Sequence, residues 1–100
     1  YSPADSRPIV QDFVKKYKAK YNAEPDALAA LAYDAAYIMF DAIKRAKSTK
    51  GADIRAALAK TSIDVVSGKI KFDANRNPIK SAVIIEIKDG KQAYKTTVNP

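Results

Sequence analysis

The carboxylates of this sequence are the side chains whose spacing comes nearest to acid–base or metal chemistry. Asp34 and Asp41 lie seven residues apart, which on a helix is two turns, or roughly 10 Å. That distance suits neither a shared proton nor a tight metal site, and we expect Asp34 to bind a neighbouring backbone amide or to pair with a lysine. Asp73, Asn75 and Asn77 alternate as calcium ligands do, but the glycine and the later glutamate of such a loop are missing. These three residues therefore predict a turn.

The remaining inventory of reactive groups is short. The chain has no cysteine and no histidine, which removes thiol nucleophiles, disulfides, imidazole bases and most transition-metal sites. Its three glycines, Gly51, Gly68 and Gly90, are too dispersed for a phosphate-binding loop. Tyr33 and Tyr37, one helical turn apart, could line an aromatic pocket, but we expect them to pack in a core or an interface. The sequence predicts no catalytic residue, no metal ligand and no cofactor, and hence no enzyme.

Length and charge limit the remaining possibilities. One hundred residues, 47% apolar and 29% charged, predict one globular unit. The net charge of +7 is spread along the chain, with nine basic and six acidic residues in the first half and nine and five in the second. The densest cluster, Lys15, Lys16, Lys18 and Lys20, is predicted to be the solvated face of a helix. We therefore expect no nucleic-acid partner, although a standalone basic interaction or nucleic-acid-binding module remains the alternative.

Nothing in the chain resembles a targeting or membrane segment. No run of about 18 apolar residues is present, and no charged stretch followed by an apolar one opens the sequence. The first residue is Tyr1 rather than methionine. We interpret the chain as a processed or excised piece in which any signal peptide is absent or already removed.

Apolar periodicity predicts an amphipathic first helix from about residue 7. Asp5 or Ser6 could cap its start, and Asn22 is expected to end it in a left-handed conformation. The positions that recur at spacings of three and four are Ile9, Val10, Phe13, Val14, Tyr17 and Tyr21.

A second helix is predicted from Pro25 and Asp26 to about Lys47. Between Ala27 and Ile43 it is apolar almost all round, so we expect it to be buried on most sides in a larger assembly. A third helix follows at about residues 52–60, and residues 61–67 are expected to be irregular.

The pattern then changes to a period of two. It predicts a short strand at Ile70 and Phe72, a turn over residues 73–78 in which Asn75 and Asn77 tolerate positive φ, and strands at 81–88 and 91–98 joined by Asp89 and Gly90. Three helices and so small a ribbon give the second helix little sheet to pack on. We therefore expect the chain either to pair with a second copy or to belong to a longer protein.

The order of these segments resembles the periplasmic substrate-binding proteins of branched-chain amino-acid ABC transporters, of the leucine/isoleucine/valine-binding type. Residues 1–5 are similar to the family's hinge, and Phe13, Tyr17 and Tyr21 to its F-x-x-x-Y-x-x-x-Y helix. Residues 25–27 leading into 32–35 are similar to its P-D…Y-D-A helix. Residues 67–73 resemble its G-x-I-x-F-D strand, and residues 81–91 its terminal hairpin. Asn22 and Asn77 stand where the family has glycine, and each exchanges one residue that tolerates positive φ for another.

The resemblance implies an α/β fold: a C-terminal fragment of a type I periplasmic binding protein, with three helices followed by a short strand and an antiparallel β-hairpin. Residues 1–100 would form a single fragment. Residues 1–79 would be the helical part of lobe one with a short strand, and residues 80–100 the terminal hairpin returning towards the hinge and lobe two. The first two helices would pack on the parallel sheet of lobe one.

The same resemblance implies a periplasmic or extracellular protein that closes on an amino-acid ligand, of branched-chain type or a related small molecule, and delivers it to an ABC permease. Most ligand contacts would precede this piece, and Leu28 and Ala29 are the predicted ligand-binding residues, as an apolar wall at the start of the second helix. A ligand-sensing domain of the same fold is an open alternative. As an isolated fragment the chain is expected to form a strand- or helix-exchanged homodimer.

Overall fold

The computed structural model describes all 100 residues, and three helices precede five strands. The helices are α1 (Pro8–Tyr21), α2 (Ala27–Ala46) and α3 (Gly51–Ala59). The strands are β1 (Ser62–Val65), β2 (Gly68–Phe72), β3 (Pro78–Ile79), β4 (Ala82–Lys88) and β5 (Lys91–Val98). The predicted order of helices, strand and hairpin is confirmed. The structure adds strand β1 and the two-residue edge strand β3.

Helix α1 begins one residue later than its pattern predicts, and its cap differs. Arg7 occupies the N-cap position without a side-chain hydrogen bond to the helix, and Pro8 opens the first turn. The expectation that Asp5 or Ser6 caps this helix is wrong, because the Asp5 carboxylate accepts hydrogen bonds from the backbone and the guanidinium of Arg7 instead. The predicted left-handed end at Asn22 is confirmed, with φ of 51°.

Helix α2 starts at a side-chain cap. The Asp26 carboxylate accepts a hydrogen bond from the Ala29 backbone N–H at 2.8 Å, which satisfies one of the free donors of the first turn. Pro25 therefore lies just outside the helix rather than in its first turn as predicted. Lys47 ends the helix with φ of 50°.

The first sheet contains the strand that the sequence did not predict. Strands β1, β2 and β3 form an antiparallel sheet in that order, and Ser62 pairs with Lys71 and Val65 with Gly68. The expectation of an irregular segment over residues 61–67 is wrong. Four alternating residues are too few to predict a strand from the pattern alone. Strand β1 is stabilised by its pairing with β2, which the local sequence does not show.

The turn after β2 is closed by Asp73, as the sequence predicts. Its backbone N–H donates to the Asn77 carbonyl, and its own carbonyl accepts from Arg76. The residue with positive φ is Arg76, at 69°. Asn75 and Asn77, which would tolerate positive φ, do not adopt it; the residue between them does.

Strands β4 and β5 form a separate two-stranded ribbon. Its turn residues Asp89 and Gly90 both have positive φ, 52° and 74°, as a two-residue hairpin turn of the favoured twist requires. The register shifts between Ile84 and Ile85, which marks a β-bulge. The predicted hairpin is confirmed.

Two small clusters hold the helices to the first sheet. Asp34 is the charged residue buried among them, and 15 of the 100 residues are buried in all. The larger cluster contains Val10, Phe13, Val14, Ala30 and Val66, and the smaller one Ile38, Val65 and Ile70.

Helix α2 buries one stripe of its surface and exposes another that is apolar. The buried stripe is Ala30, Asp34, Ile38 and Ala42. The exposed apolar face, as we call it below, is broad, about half of the helix circumference, and comprises Leu28, Leu31, Met39 and Phe40. Its two most exposed members are Leu28 at 76% and Phe40 at 63%. No helix of this structure is both long enough and apolar enough to cross a membrane.

Candidate functional site

The structure places the two predicted ligand-binding residues in the first turn of α2. Leu28 projects from the exposed apolar face, whereas Ala29 is half-buried and packs against the cluster formed with α1. The two side chains therefore leave the helix in different directions. Their role as ligand contacts stays a prediction, and Leu28 is the one whose side chain is free to contact another group.

The start of α2 is held by residues far away in the sequence. The Tyr1 hydroxyl lies 3.4 Å from the Pro25 carbonyl oxygen, and the Tyr1 ring meets Phe13 of α1 edge-to-face at 6.0 Å between centroids. Burial, reinforced by the Glu24 and Asp26 carboxylates, raises the pKa of Tyr1 to about 12. The Tyr1 phenol therefore stays neutral, and able to donate this hydrogen bond, to higher pH than an exposed tyrosine would.

Asp34 uses its carboxylate to hold the turn between β1 and β2. It is 2% exposed, and its two oxygens accept hydrogen bonds from the Val66 and Ser67 backbone N–H groups at 2.8 Å each. The prediction that Asp34 binds a backbone amide is confirmed, and the lysine alternative is not. Asp41, on the same helix, pairs with Arg45 at 2.8 Å, so the two carboxylates have separate structural partners.

Arg7 reaches the same turn from the other side, a contact that no local pattern predicts. Its Nη2 donates to the Val66 carbonyl oxygen at 2.8 Å, across 59 residues of sequence. Its guanidinium also forms an ion pair with Asp5 at 2.9 Å. The Asp5-x-Arg7 spacing was the available signal, but it does not identify a partner in the β1–β2 turn.

Tyr33 and Tyr37 form a hydrogen-bonded aromatic pair on α2. Their hydroxyl oxygens are 3.2 Å apart, and the Tyr33 ring packs against Phe13 at a tilt of 47°, with 4.8 Å between centroids. The hydrogen bond to Tyr37 is the largest cause that raises the pKa of Tyr33 to about 12, followed by burial and the nearby Asp12 and Asp34. Core packing is confirmed for Tyr33, whereas Tyr37 is half exposed.

The Asp73 loop uses its carboxylate within the turn. Oδ1 accepts from the Asn75 and Asn77 backbone N–H groups, and Oδ2 from the Asn77 side-chain amide. These bonds, the one from the Asn77 backbone foremost, lower the pKa of Asp73. The prediction of a turn is confirmed, and no group of three or more aspartate, glutamate, histidine or cysteine side chains lies close enough together to hold a metal ion.

Two shallow cavities flank α1. One of about 350 Å³ lies between residues 2–4, α1 and the ribbon, where Ile85 and Gln92 line it. The other, of about 200 Å³, lies between α1, α2 and β1, beside Tyr33 and Tyr37. Leu28 and Ala29 line neither, so a ligand at the start of α2 would need walls from outside these residues.

The sequence and the fold of this chain are both similar to those of known proteins. A family described as periplasmic binding protein matches residues 1–92. The leucine-binding protein LivK from Thermotoga maritima is 41% identical, with a TM-score of 0.84, over 100% of this chain and 29% of its own. LivJ from Streptococcus pneumoniae, solved with isoleucine, is 31% identical, with a TM-score of 0.83, over 100% of this chain and 28% of its own.

A third solved structure is the solute-binding protein of an ABC transporter from R. palustris, in complex with benzoate. It is 26% identical, with a TM-score of 0.85, over 100% of this chain and 28% of its own. The chain thus spans less than a third of the length of these relatives. They are solute-binding transport proteins rather than enzymes, in agreement with the absence of catalytic residues predicted from the sequence. The chain belongs to the periplasmic binding protein family, and its solved relatives include the branched-chain amino-acid binding proteins of ABC transporters.

Proposed function

We propose that this chain is part of an extracytoplasmic protein, periplasmic or extracellular, that captures a branched-chain amino acid or a related small ligand and delivers it to an ABC permease. The observation that carries the proposal is the 41% identity to a leucine-binding protein over the whole of this chain. The isoleucine bound to LivJ is consistent with the same ligand class.

Within that protein, Leu28 would contribute an apolar wall to the ligand side chain, with Ala29 behind it. Leu28 fits this role because it stands 76% exposed at the capped end of a helix. Residues 1–79 would belong to lobe one, and residues 80–100 would return towards the hinge and lobe two. Groups that hold the ligand's carboxylate and ammonium would come from elsewhere in the protein.

Calorimetry on the complete protein tests both the function and the site. We expect saturable binding of isoleucine, and a Leu28→Ala affinity lower by about three- to tenfold, because the variant removes methyl and methylene contacts. Leu31→Ala, the same substitution one turn further along α2, is the matched control and should leave the affinity within about twofold. Absence of isoleucine and leucine binding by the wild type would contradict the capture of a branched-chain amino acid, and equal effects of the two variants would contradict the site.

The 100-residue chain alone should bind no amino acid at micromolar concentration. Burying a zwitterion without partners for its charged groups is unfavourable, and the two carboxylates at the start of α2 already have partners: Asp26 accepts from the Ala29 N–H, and Glu24 pairs with Lys18. Isothermal titration of the isolated chain with isoleucine should show heats of dilution. A micromolar dissociation constant would place the charged contacts within these 100 residues and contradict our division of the site.

For the isolated chain we further propose a homodimer in which a second copy covers the exposed apolar face of α2. The support is the size of the side chains left in solvent there, which include Leu28, Leu31, Met39 and Phe40. A strand- or helix-exchanged dimer would bring two copies together, and its two-fold symmetry would place the exposed apolar face of one against that of the other.

A further inference from the structure

The turn between β1 and β2 is bonded to two different parts of the chain through a single residue. Val66 is fully buried within the larger core cluster. Its backbone N–H donates to Asp34 of α2, and its carbonyl oxygen accepts from Arg7. Both backbone polar groups of one buried residue are thus satisfied by charged side chains, which form the stronger class of hydrogen bond.

Arg7 connects this turn to the leading segment, by which we mean residues 1–7. Asp5 holds the guanidinium at 2.9 Å. The Gln11 side-chain amide of α1 donates to the Pro3 and Asp5 carbonyl oxygens at 3.0 and 2.6 Å. The leading segment is therefore fixed to α1 and, through Arg7, to the β1–β2 turn.

The other end of the leading segment reaches the start of α2. The Tyr1 hydroxyl bonds the Pro25 carbonyl oxygen, one residue before the Asp26 cap. Asp34, two turns further along α2, bonds the same turn that Arg7 holds. A closed circuit of contacts thus runs from Tyr1 along the leading segment to Arg7, through Val66 to Asp34, and back along α2.

We propose that Asp34 and Arg7 are positioning residues for ligand capture: through Val66 they hold the leading segment and the start of α2 as one unit. The proposal rests on the proposed function, in which Leu28 contacts the ligand. It concerns how Leu28, at the start of α2, is placed relative to the leading segment. Neither side chain contacts the ligand. Each acts by fixing a backbone that carries or adjoins the site.

The test compares four variants of the complete protein at a temperature where all are folded. Asp34→Asn replaces one acceptor oxygen with an amide that faces a backbone donor, and Arg7→Lys loses the planar fork that joins Asp5 to Val66. The controls are Asp41→Asn, on the same helix, and Ser67→Ala. The latter removes a buried hydroxyl without a partner but keeps the backbone N–H that Asp34 binds.

Two readouts separate positioning from simple stabilisation. In isoleucine titrations, Asp34→Asn should weaken binding about tenfold and Arg7→Lys about threefold, with both controls within about twofold. In hydrogen exchange without ligand, the Asp5 and Arg7 amides should exchange faster in Asp34→Asn than in Ser67→Ala, although neither amide contacts Asp34. Unchanged affinity in both test variants would overturn the proposal, even if their melting temperatures fall.

The exchange measurement also distinguishes failure of this inference from failure of the proposed function. If the wild-type protein binds no amino acid, the proposed function is wrong, and faster exchange at Asp5 and Arg7 in Asp34→Asn would still support the circuit. If those amides exchange equally in Asp34→Asn and Ser67→Ala, Asp34 does not position the leading segment and the inference is overturned. Should Asp34→Asn fail to fold, Arg7→Lys against Ser67→Ala provides the same comparison of affinity.

Discussion

The Tyr33 hydroxyl illustrates how one contact changes the acid–base behaviour of a residue. Its hydrogen bond to Tyr37 favours the neutral phenol, and burial and neighbouring carboxylates act in the same direction, so its pKa rises from 10.0 to about 12. An unfolded chain loses this proton at lower pH than the folded one. The contribution to stability is therefore fully present below pH 10 and is lost as pH rises towards about 12.

Tyrosine absorbance titration checks this assignment. The difference between wild type and Tyr33→Phe should isolate a transition near pH 12. In a Tyr37→Phe background the same difference should move down towards the ordinary value, because the principal cause of the shift has been removed. A transition that stays near pH 12 without Tyr37 would mean that burial and the carboxylates dominate instead.

For single side chains, the sequence predicts the kind of group that each one binds better than the residue that supplies this group. Asp34 on a largely apolar helix was expected to bind a backbone amide, and it does. The amides belong to Val66 and Ser67, more than 30 residues away, and no local pattern specifies them. The same holds for Arg7, because the Val66 carbonyl oxygen that it binds comes close to it only in the folded chain.

Among the elements, the turn after β2 carries an uncommon backbone conformation. Arg76 has φ of 69°, a region that costs a residue with a Cβ roughly 1–2 kcal/mol and glycine much less. Its side chain is exposed and makes no hydrogen bond or ion pair in this structure. The strain at this position is therefore without a compensating side-chain contact.

One substitution should have opposite effects at two arginines. Arg76→Gly is expected to stabilise the fold by about 0.5–1 kcal/mol, since relief of strain exceeds the added flexibility of the unfolded chain. Arg55→Gly, at an exposed position inside α3, should destabilise it by about 1 kcal/mol. Urea unfolding of both variants measures the difference. A lower free energy of unfolding in Arg76→Gly would contradict the inference that the backbone of Arg76 is strained.

The elements were predicted where their periodic pattern is long. Helices α1 and α2 each show several turns of apolar spacing, and the hairpin has both alternation and an Asp-Gly turn. Strand β1 was missed because four residues contain one inward pair, Ile63 and Val65, and its pairing partner lies across a tight turn. Tolerance of positive φ marked Asn75 and Asn77 as turn residues, whereas the residue that adopts it is Arg76, which lies between them.

For the whole molecule, the shape is extended for its length. The radius of gyration is 15.3 Å and the longest dimension 49 Å, against about 13 Å for the radius of gyration of a compact 100-residue domain. The ribbon of β4 and β5 contributes to this shape, since most of its residues are exposed on both faces. The exposed apolar face of α2 and this ribbon are the surfaces that a longer protein or a second copy would cover.

The candidate ligand site could not be derived from residue chemistry. Leu28 and Ala29 are an ordinary pair of helix residues, and their assignment came from resemblance to a family rather than from charge or spacing. The structure adds that Leu28 is exposed and that Tyr1 and Asp26 form hydrogen bonds to the backbone at the start of α2. In the site we propose, the other walls would come from outside these 100 residues, so no pattern within the chain could specify the ligand.

The exposed apolar face gives the last prediction, which concerns the isolated chain. Sedimentation velocity at tens of micromolar should show a dimer, because side chains such as Met39 and Phe40 leave water only if another surface covers them. Met39→Lys places a charge on that face and should raise the dimer dissociation constant at least about tenfold. Thr49→Lys adds the same charge at an exposed connector and should leave the dimer intact. A monomer that unfolds cooperatively would mean that 15 buried residues suffice for an independent fold, and the apolar face would then be tolerated in water rather than paired.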